Sequence, residues 1–281
     1  MLWGKNIHCT ITNPAHLIGG VPVPLPAPES ARTAMKQPLP SQTPEGERPA
    51  PGIRCSLVIP AYNEETRILP LFDAIPSFDG ELIVVCDGND RTPDVVDSIA
   101  ARRPDLTVRC LRFGHRLGKG GGVIAGLAAA RAPFVGYFDA DGSTGIGEME
   151  RLFGMLGDSD GVIGSRWMPG STLRARQGLM RRLESRGFNI LIRVLFGLRF
   201  SDTQCGAKVF RKEAVDRVLG SMRSHGFEFD VELLWRMKAG GFRITETPIE
   251  WQNRGDSRVR KLDMLRMFAG LIAIRLWPGP I

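Results

Sequence analysis

Phe134-Val135-Gly136-Tyr137-Phe138-Asp139-Ala140-Asp141-Gly142-Ser143 is an apolar, aromatic-rich run that ends abruptly in two aspartates one residue apart. The pattern reads as a buried strand that delivers carboxylates to the C-terminal edge of a sheet. Two carboxylates this close repel unless positive charge sits between them, and a hard divalent cation with oxygen ligands meets that need. Mg²⁺ or Mn²⁺ held by Asp139 and Asp141 would share its coordination with substrate phosphates, which points to nucleotide-diphosphate chemistry. The other reading is a turn that favours Asp and Gly.

Working outward, further apolar, β-branched runs occur at Cys55 to Ala61, Glu81 to Cys86 and Thr107 to Phe113. Helical patterns separate the four runs at about Glu64 to Ile75, Thr92 to Arg103 and Gly120 to Arg131. A fifth strand is expected at Gly161 to Trp167, after a helix carrying Ile146, Met149, Leu152, Phe153 and Leu156 at helical spacing. Shorter elements follow at Ala207 to Phe210, Phe227 to Ala239 and Arg243 to Thr247. Alternation of strand and helix predicts an α/β fold with a mainly parallel sheet covered on both faces. Ligands in such sheets bind beyond the C-terminal strand ends. Four successive ends carry polar or glycine-rich chemistry: Pro60 to Glu65, Asp87 to Asp90, Gly114 to Gly122, and Asp139 to Asp141.

Gly118-Lys119-Gly120-Gly121-Gly122 precedes a helical pattern. Backbone N–H groups at a helix start, with a lysine beside them, suit a diphosphate, although the same run also suits a flexible turn. It is not a Walker loop, because no Ser or Thr follows Lys119. Asp87 either initiates a turn or accepts hydrogen bonds from a nucleobase or ribose. Asp230 and Glu232 either position sugar hydroxyls or the acceptor, or complement a helix dipole.

The 281-residue chain carries a net charge of +7, which calls for an anionic partner, nucleic acid or an acidic membrane surface. Half of the twenty prolines fall between Pro14 and Pro51. Residues 1–52 are therefore expected to be a disordered arm, ahead of a catalytic domain over 53–258 and an amphipathic membrane-associating helix over 259–281. Between Arg166 and Arg199 stand eight arginines and a single acid, Glu184, interleaved with apolar residues. Such a helix either packs on the core with a charged outer face or lies on a membrane; the near absence of acids favours the membrane. The stretch Val259 to Trp277 repeats the theme. No apolar run is long enough to predict a transmembrane helix, and no signal peptide is read at the N-terminus. Five scattered cysteines fit reduced thiols in a cytosolic setting.

Together, Val58-Ile59-Pro60-Ala61-Tyr62-Asn63-Glu64-Glu65, the aspartates at 139 and 141, Gly164-Ser165-Arg166, and Asp202-Thr203-Gln204-Cys205-Gly206-Ala207-Lys208-Val209-Phe210 resemble family 2 glycosyltransferases. Within that family the chain is similar to the dolichyl- or polyprenyl-phosphate sugar synthases. The D-T-Q-C-G run is more like the glucosyl than the mannosyl branch. The resemblance implies a glycosyltransferase-A fold and an enzyme at the cytoplasmic face of a membrane, peripheral, with no role for nucleic acid. It implies hexose transfer with inversion from a nucleotide-sugar, UDP-glucose before GDP-mannose, to a dolichyl or polyprenyl monophosphate. Pro60, Tyr62, Glu64, Asp87, Lys119 and Asp139 would bind the donor, with Asp139 and Asp141 on the metal. Arg166, Arg181, Ser185 and Arg254 would hold the lipid phosphate. Asp139, Asp141, Arg166 and Asp230 would be the catalytic set.

Two positions depart from the family pattern: Cys86 replaces the first acid of an Asp-Asp pair, and Ser143 stands where some relatives carry Gln. A phosphate acceptor is already ionised near neutral pH and needs little general-base help, which fits the lack of histidine at the strand ends. A sugar-1-phosphate nucleotidyltransferase would carry a glycine-rich basic loop after the first strand, where Pro60 to Glu64 stands instead. A basic binding module would leave the paired aspartates unexplained.

Overall fold

The computed structural model describes residues 53–174, 179–252 and 261–276. In chain order the elements are β1 (Cys55–Ala61), α1 (Ile68–Asp73), β2 (Glu81–Cys86), α2 (Thr92–Arg102), β3 (Thr107–Arg112), α3 (Gly118–Ala129), β4 (Phe134–Tyr137), α4 (Ile146–Gly154) and β5 (Gly161–Ser165). There follow β6 (Thr172–Arg174), α5 (Leu179–Phe196), β7 (Lys208–Arg211), α6 (Lys212–Leu219), α7 (Phe229–Ala239), β8 (Ile244–Pro248), β9 (Glu250–Gln252) and α8 (Lys261–Leu276). Seven strands form one sheet in the order β3-β2-β1-β4-β7-β5-β8. Pairs β1–β2, β2–β3, β1–β4 and β5–β8 are parallel, whereas β7 runs antiparallel to both β4 and β5.

The continuous apolar runs become strands buried on both faces. Leu57 and Ile59 face one core with α1, α2 and α4, while Val58, Ile83 and Val85 face a second core with α3, α6 and α7. Each strand residue thus contributes to one layer or the other by simple alternation. The expected α/β sheet is present. The reversal of β7 was not legible in the sequence. Its consequence is topological: the segment entering β7, rather than the one leaving it, lies at the edge where β1 to β5 end. Asp202 to Ala207 arrive at the site for that reason. The two-stranded β6–β9 sheet was also not expected; β9 is tied to the loop after β4 by Gln252 N–H donating to the Ser143 carbonyl at 2.8 Å.

The basic helices resolve the choice between core and surface by doing both. On α5, Ile192 and Phe196 are buried, yet Ile190 and Val194 are 62% and 78% exposed. On α8, Met267, Leu271 and Ile274 are buried, while Leu265, Phe268 and Leu276 are exposed. Arg275 Nε donates to the Leu195 carbonyl at 3.0 Å, which joins the C-terminal ends of the two helices. Among the described residues no helix is long and apolar enough to cross a membrane. The Pro-rich arm expected over 1–52 lies outside the described residues.

Candidate active site

Asp139 sits two residues past β4, and its Oδ1 is 2.7 Å from the Lys119 Nζ at the start of α3. Burial alone would push this carboxyl up, but Lys119, with Lys208 and Arg166 farther off, outweighs it and holds Asp139 below the ordinary carboxylate value. Lys119 shows the matching effect: burial opposes its charge, yet Asp139, Asp230 and Asp141 raise its pKa to about 12. Asp141 Oδ1 accepts the Ser143 N–H at 2.9 Å, which closes a tight turn through Gly142 at φ 68°. Both expected carboxylates therefore reach the same strand end, one paired with an ammonium and one held by its own loop.

A second ion pair lies alongside. Arg166, just past β5, donates Nε and Nη2 to Asp202 at 2.7 and 2.9 Å, and its backbone N–H to the same carboxylate at 3.0 Å. Burial raises the Asp202 pKa and Arg166 lowers it, with Arg166 prevailing. The guanidinium carbon stands 5.6 Å from the Trp251 ring centroid and 6.0 Å from that of Trp167. Glu246 accepts the N–H groups of Ser201 and Asp202 at 2.8 Å and so fixes the turn that carries Asp202. A third pair lies beneath: fully buried Lys208 donates to Asp230 Oδ1, which also accepts the Tyr137 hydroxyl at 2.5 Å.

Several sequence expectations change here. The glycine run does not lie before a helix but inside it, since α3 begins at Gly118. Most of the amides at this helix start are already bonded within the protein. Asp87 Oδ2 accepts the N–H groups of Leu117 and Gly118 at 2.8 and 3.1 Å, and Gly120 and Gly121 donate to the carbonyls of Gly226 and His225 at 3.2 Å. The glycines serve close packing: a Cβ on Gly120 would strike the Phe229 side chain. Lys119, expected on the diphosphate, is paired with Asp139 in this structure, so both expected donor-site side chains stand together. Asp230, expected either to position sugar hydroxyls or the acceptor or to complement a helix dipole, sits at the start of α7 at 2% exposure and is paired with the buried Lys208 ammonium. Glu232, the other acid of that segment, is fully buried and accepts Arg236 Nε and the Ser224 N–H, both at 2.8 Å.

The remaining expected residues fall as follows. Asp87, at the end of β2, is buried, which raises its pKa despite the two amides and nearby Arg116. Tyr62, past β1, is 37% exposed with the Arg116 guanidinium 4.2 Å above its ring. Pro60 is on β1 opposite Val85, and Glu64 accepts Arg67 Nε at 2.6 Å. Arg181 and Ser185 both lie on α5, one turn apart, with their side chains outside the described residues. Arg254 is outside them altogether. Cys205 is a buried core thiol, pushed up to about 12 by burial. The sequence reading missed the pairing partners Asp202 and Lys208, although both sit in the motif it singled out. Glu246 gave no sequence signal at all.

Two carboxylates, Asp139 and Asp141, at one strand end are hard oxygen donors of the kind that fit Mg²⁺ or Mn²⁺. Among the described residues no three His, Cys, Asp or Glu side chains cluster as a full cage. Two carboxylates leave coordination positions for waters and a diphosphate, which matches how Mg²⁺ is usually held.

The glycosyl transferase family 2 model matches residues 56–219. The chain belongs to glycosyltransferase family 2. The glycosyltransferase is 33% identical to glycosyltransferase AglD of Haloferax volcanii over 81% of this chain, but only 38% of that longer protein. It is 31% identical to a dolichyl-phosphate beta-glucosyltransferase of Trichomonas vaginalis over 85% of this chain and 77% of that one. Among solved structures, glucosyl-3-phosphoglycerate synthase of Mycobacterium tuberculosis, in complex with Mn²⁺, UDP-glucose and phosphoglyceric acid, superimposes with a TM-score of 0.59 at 20% identity, covering 81% of this chain and 79% of that one. The sheet and its helices are thus the glycosyltransferase-A fold.

Proposed function

We propose that this glycosyltransferase, through a catalytic domain over 53–258, moves a hexose, glucose from UDP-glucose, to a dolichyl or polyprenyl monophosphate with inversion, at the cytoplasmic face of a membrane. The observation that carries this reading is the row of charges at one sheet edge: Asp139 with Lys119, Arg166 with Asp202, and Asp141 beside them. Donor and acceptor are both phosphorylated, so a reaction between them needs cations facing each other across a carboxylate-held metal. Relatives that are dolichyl-phosphate beta-glucosyltransferases support the choice of acceptor and sugar.

In this reading Asp87 and Tyr62 hold the base, and Pro60 and Glu64 shape the wall of the cleft. Asp139 and Asp141 would hold Mg²⁺ or Mn²⁺, which when bound supplies positive charge to the departing diphosphate. Lys119 adds an ammonium beside the same phosphates. Arg166, Arg181, Ser185 and Arg254 meet the lipid phosphate, whose oxygen attacks the anomeric carbon from the face opposite the nucleotide. No base is required, because the acceptor arrives ionised. The exposed Ile190, Val194, Leu265, Phe268 and Leu276, with exposed Arg193, Arg266 and Arg275, form the bilayer-facing surface.

The test is a donor screen with the purified protein, Mg²⁺ or Mn²⁺, and vesicles containing dolichyl phosphate. Radiolabel from UDP-glucose should enter an organic-extractable phosphoglycolipid. Label from GDP-mannose alone would overturn the donor, and label entering only a water-soluble acceptor such as phosphoglycerate would overturn the lipid.

A further inference from the structure

Lys208 has no exposed surface and lies within the central part of the sheet, on β7 opposite Tyr137 of β4 and Ile163 of β5. Burying an ammonium carries a desolvation penalty that pairing does not reliably recover, and an apolar side chain of similar volume would often be no less stable. Stability alone therefore does not account for a lysine there. Its contacts give another account. The ammonium donates to the Cys205 carbonyl as well as to Asp230. The next residue along the chain, Gly206, has its α-carbon packed against the Asp139 carboxylate. A single buried cation thus ties the end of β4, the N-terminus of α7 and the turn that backs Asp139.

We propose that Lys208 is a positioning residue for Asp139, acting through the Cys205–Gly206 turn. It never touches substrate. Its ammonium holds the Cys205 carbonyl inward, which keeps Gly206 against the Asp139 carboxylate and fixes where that carboxylate presents its oxygens. The proposal rests on the reading of Asp139 as a carboxylate of the donor's metal. Charge alone predicts the opposite of positioning, because a nearby ammonium repels a divalent cation and its removal should tighten binding.

The experiment measures Mn²⁺ dissociation constants by electron paramagnetic resonance, in the presence of UDP, with thermal melts alongside. Lys208→Met leaves Asp230 without its cation, so the deciding variant is Lys208→Met combined with Asp230→Asn, which removes the pair and leaves net charge unchanged. That variant should melt near the wild-type temperature yet bind Mn²⁺ roughly tenfold or more weakly, the usual effect of losing an outer-sphere partner. Tyr137→Phe removes a partner of Asp230 without touching Cys205 and should leave Mn²⁺ affinity within about twofold, well short of an outer-sphere loss. Mn²⁺ binding in the paired variant equal to or tighter than wild type would overturn the proposal. Asp139→Asn is measured in parallel: wild-type Mn²⁺ affinity there would sink the metal reading itself, which separates the two failures.

Discussion

Gly206 backs Asp139 so closely that a methyl group on its α-carbon would overlap the Asp139 carboxylate. The glycine is needed for approach rather than for backbone freedom, and it comes from a different strand connection than the aspartate. Gly206→Ala should therefore push the Asp139 carboxylate out of its place and strain its pairing with Lys119, because the added methyl meets the side chain rather than backbone. The fold should persist with a melting temperature only modestly lowered by the crowding, while kcat falls about 100-fold as the carboxylate leaves its position.

Asp141→Asn tests the metal reading with little structural disturbance. Its Oδ1 accepts the Ser143 N–H, and an asparagine carbonyl can accept the same bond. The variant should melt like the wild type and lose about 100-fold or more in Mn²⁺-dependent transfer. Full transfer to a purified lipid acceptor in this variant would remove Asp141 from the machinery.

The Arg166–Asp202 pair predicts a pH dependence of stability. Asp202 is buried, and Arg166 holds its carboxyl below the unfolded value. The pair's contribution is present above the unfolded Asp pKa of about 3.9 and is lost as pH falls through the lower folded value. Asp202→Asn strands a partly buried guanidinium and should cost roughly 1–3 kcal/mol at neutral pH. A melting series from neutral to acid pH should then show a shallower acid limb in the variant than in the wild type.

The exposed apolar faces of α5 and α8 predict membrane binding. Val194 and Leu265 are 78% and 67% exposed. Inserting a side chain of this size into an apolar phase is worth about 1.5–3 kcal/mol, so Val194→Glu with Leu265→Glu should reduce vesicle partitioning by two orders of magnitude or more, roughly. Sedimentation with anionic vesicles checks this. UDP affinity and melting temperature should not change, because neither side chain packs on the core.

Much of the sheet was legible from the chain. Buried parallel strands need apolar residues on both faces, so β1, β2 and β4 stand out as unbroken runs. The landing of Asp139, Asp141 and Asp87 at one edge follows from alternation with helices and needs no tertiary knowledge. The error over Gly118 to Gly122 has a clear cause. A glycine run permits close approach of whatever comes near it, and local pattern cannot say whether that is a phosphate or the segment His225 to Phe229, a hundred residues on.

Local chemistry alone set the succession of strands and helices along the chain, the acidic strand end and the two basic amphipathic stretches, because hydrophobic period and turn residues are properties of neighbours in the chain. Which ion meets which was decided only in three dimensions. Lys119 with Asp139, Arg166 with Asp202 and Lys208 with Asp230 join residues 20 to 36 positions apart. The second and third of these pairs depend on β7 running against its neighbours, and the direction of a short strand is settled by packing across the sheet rather than by its own sequence.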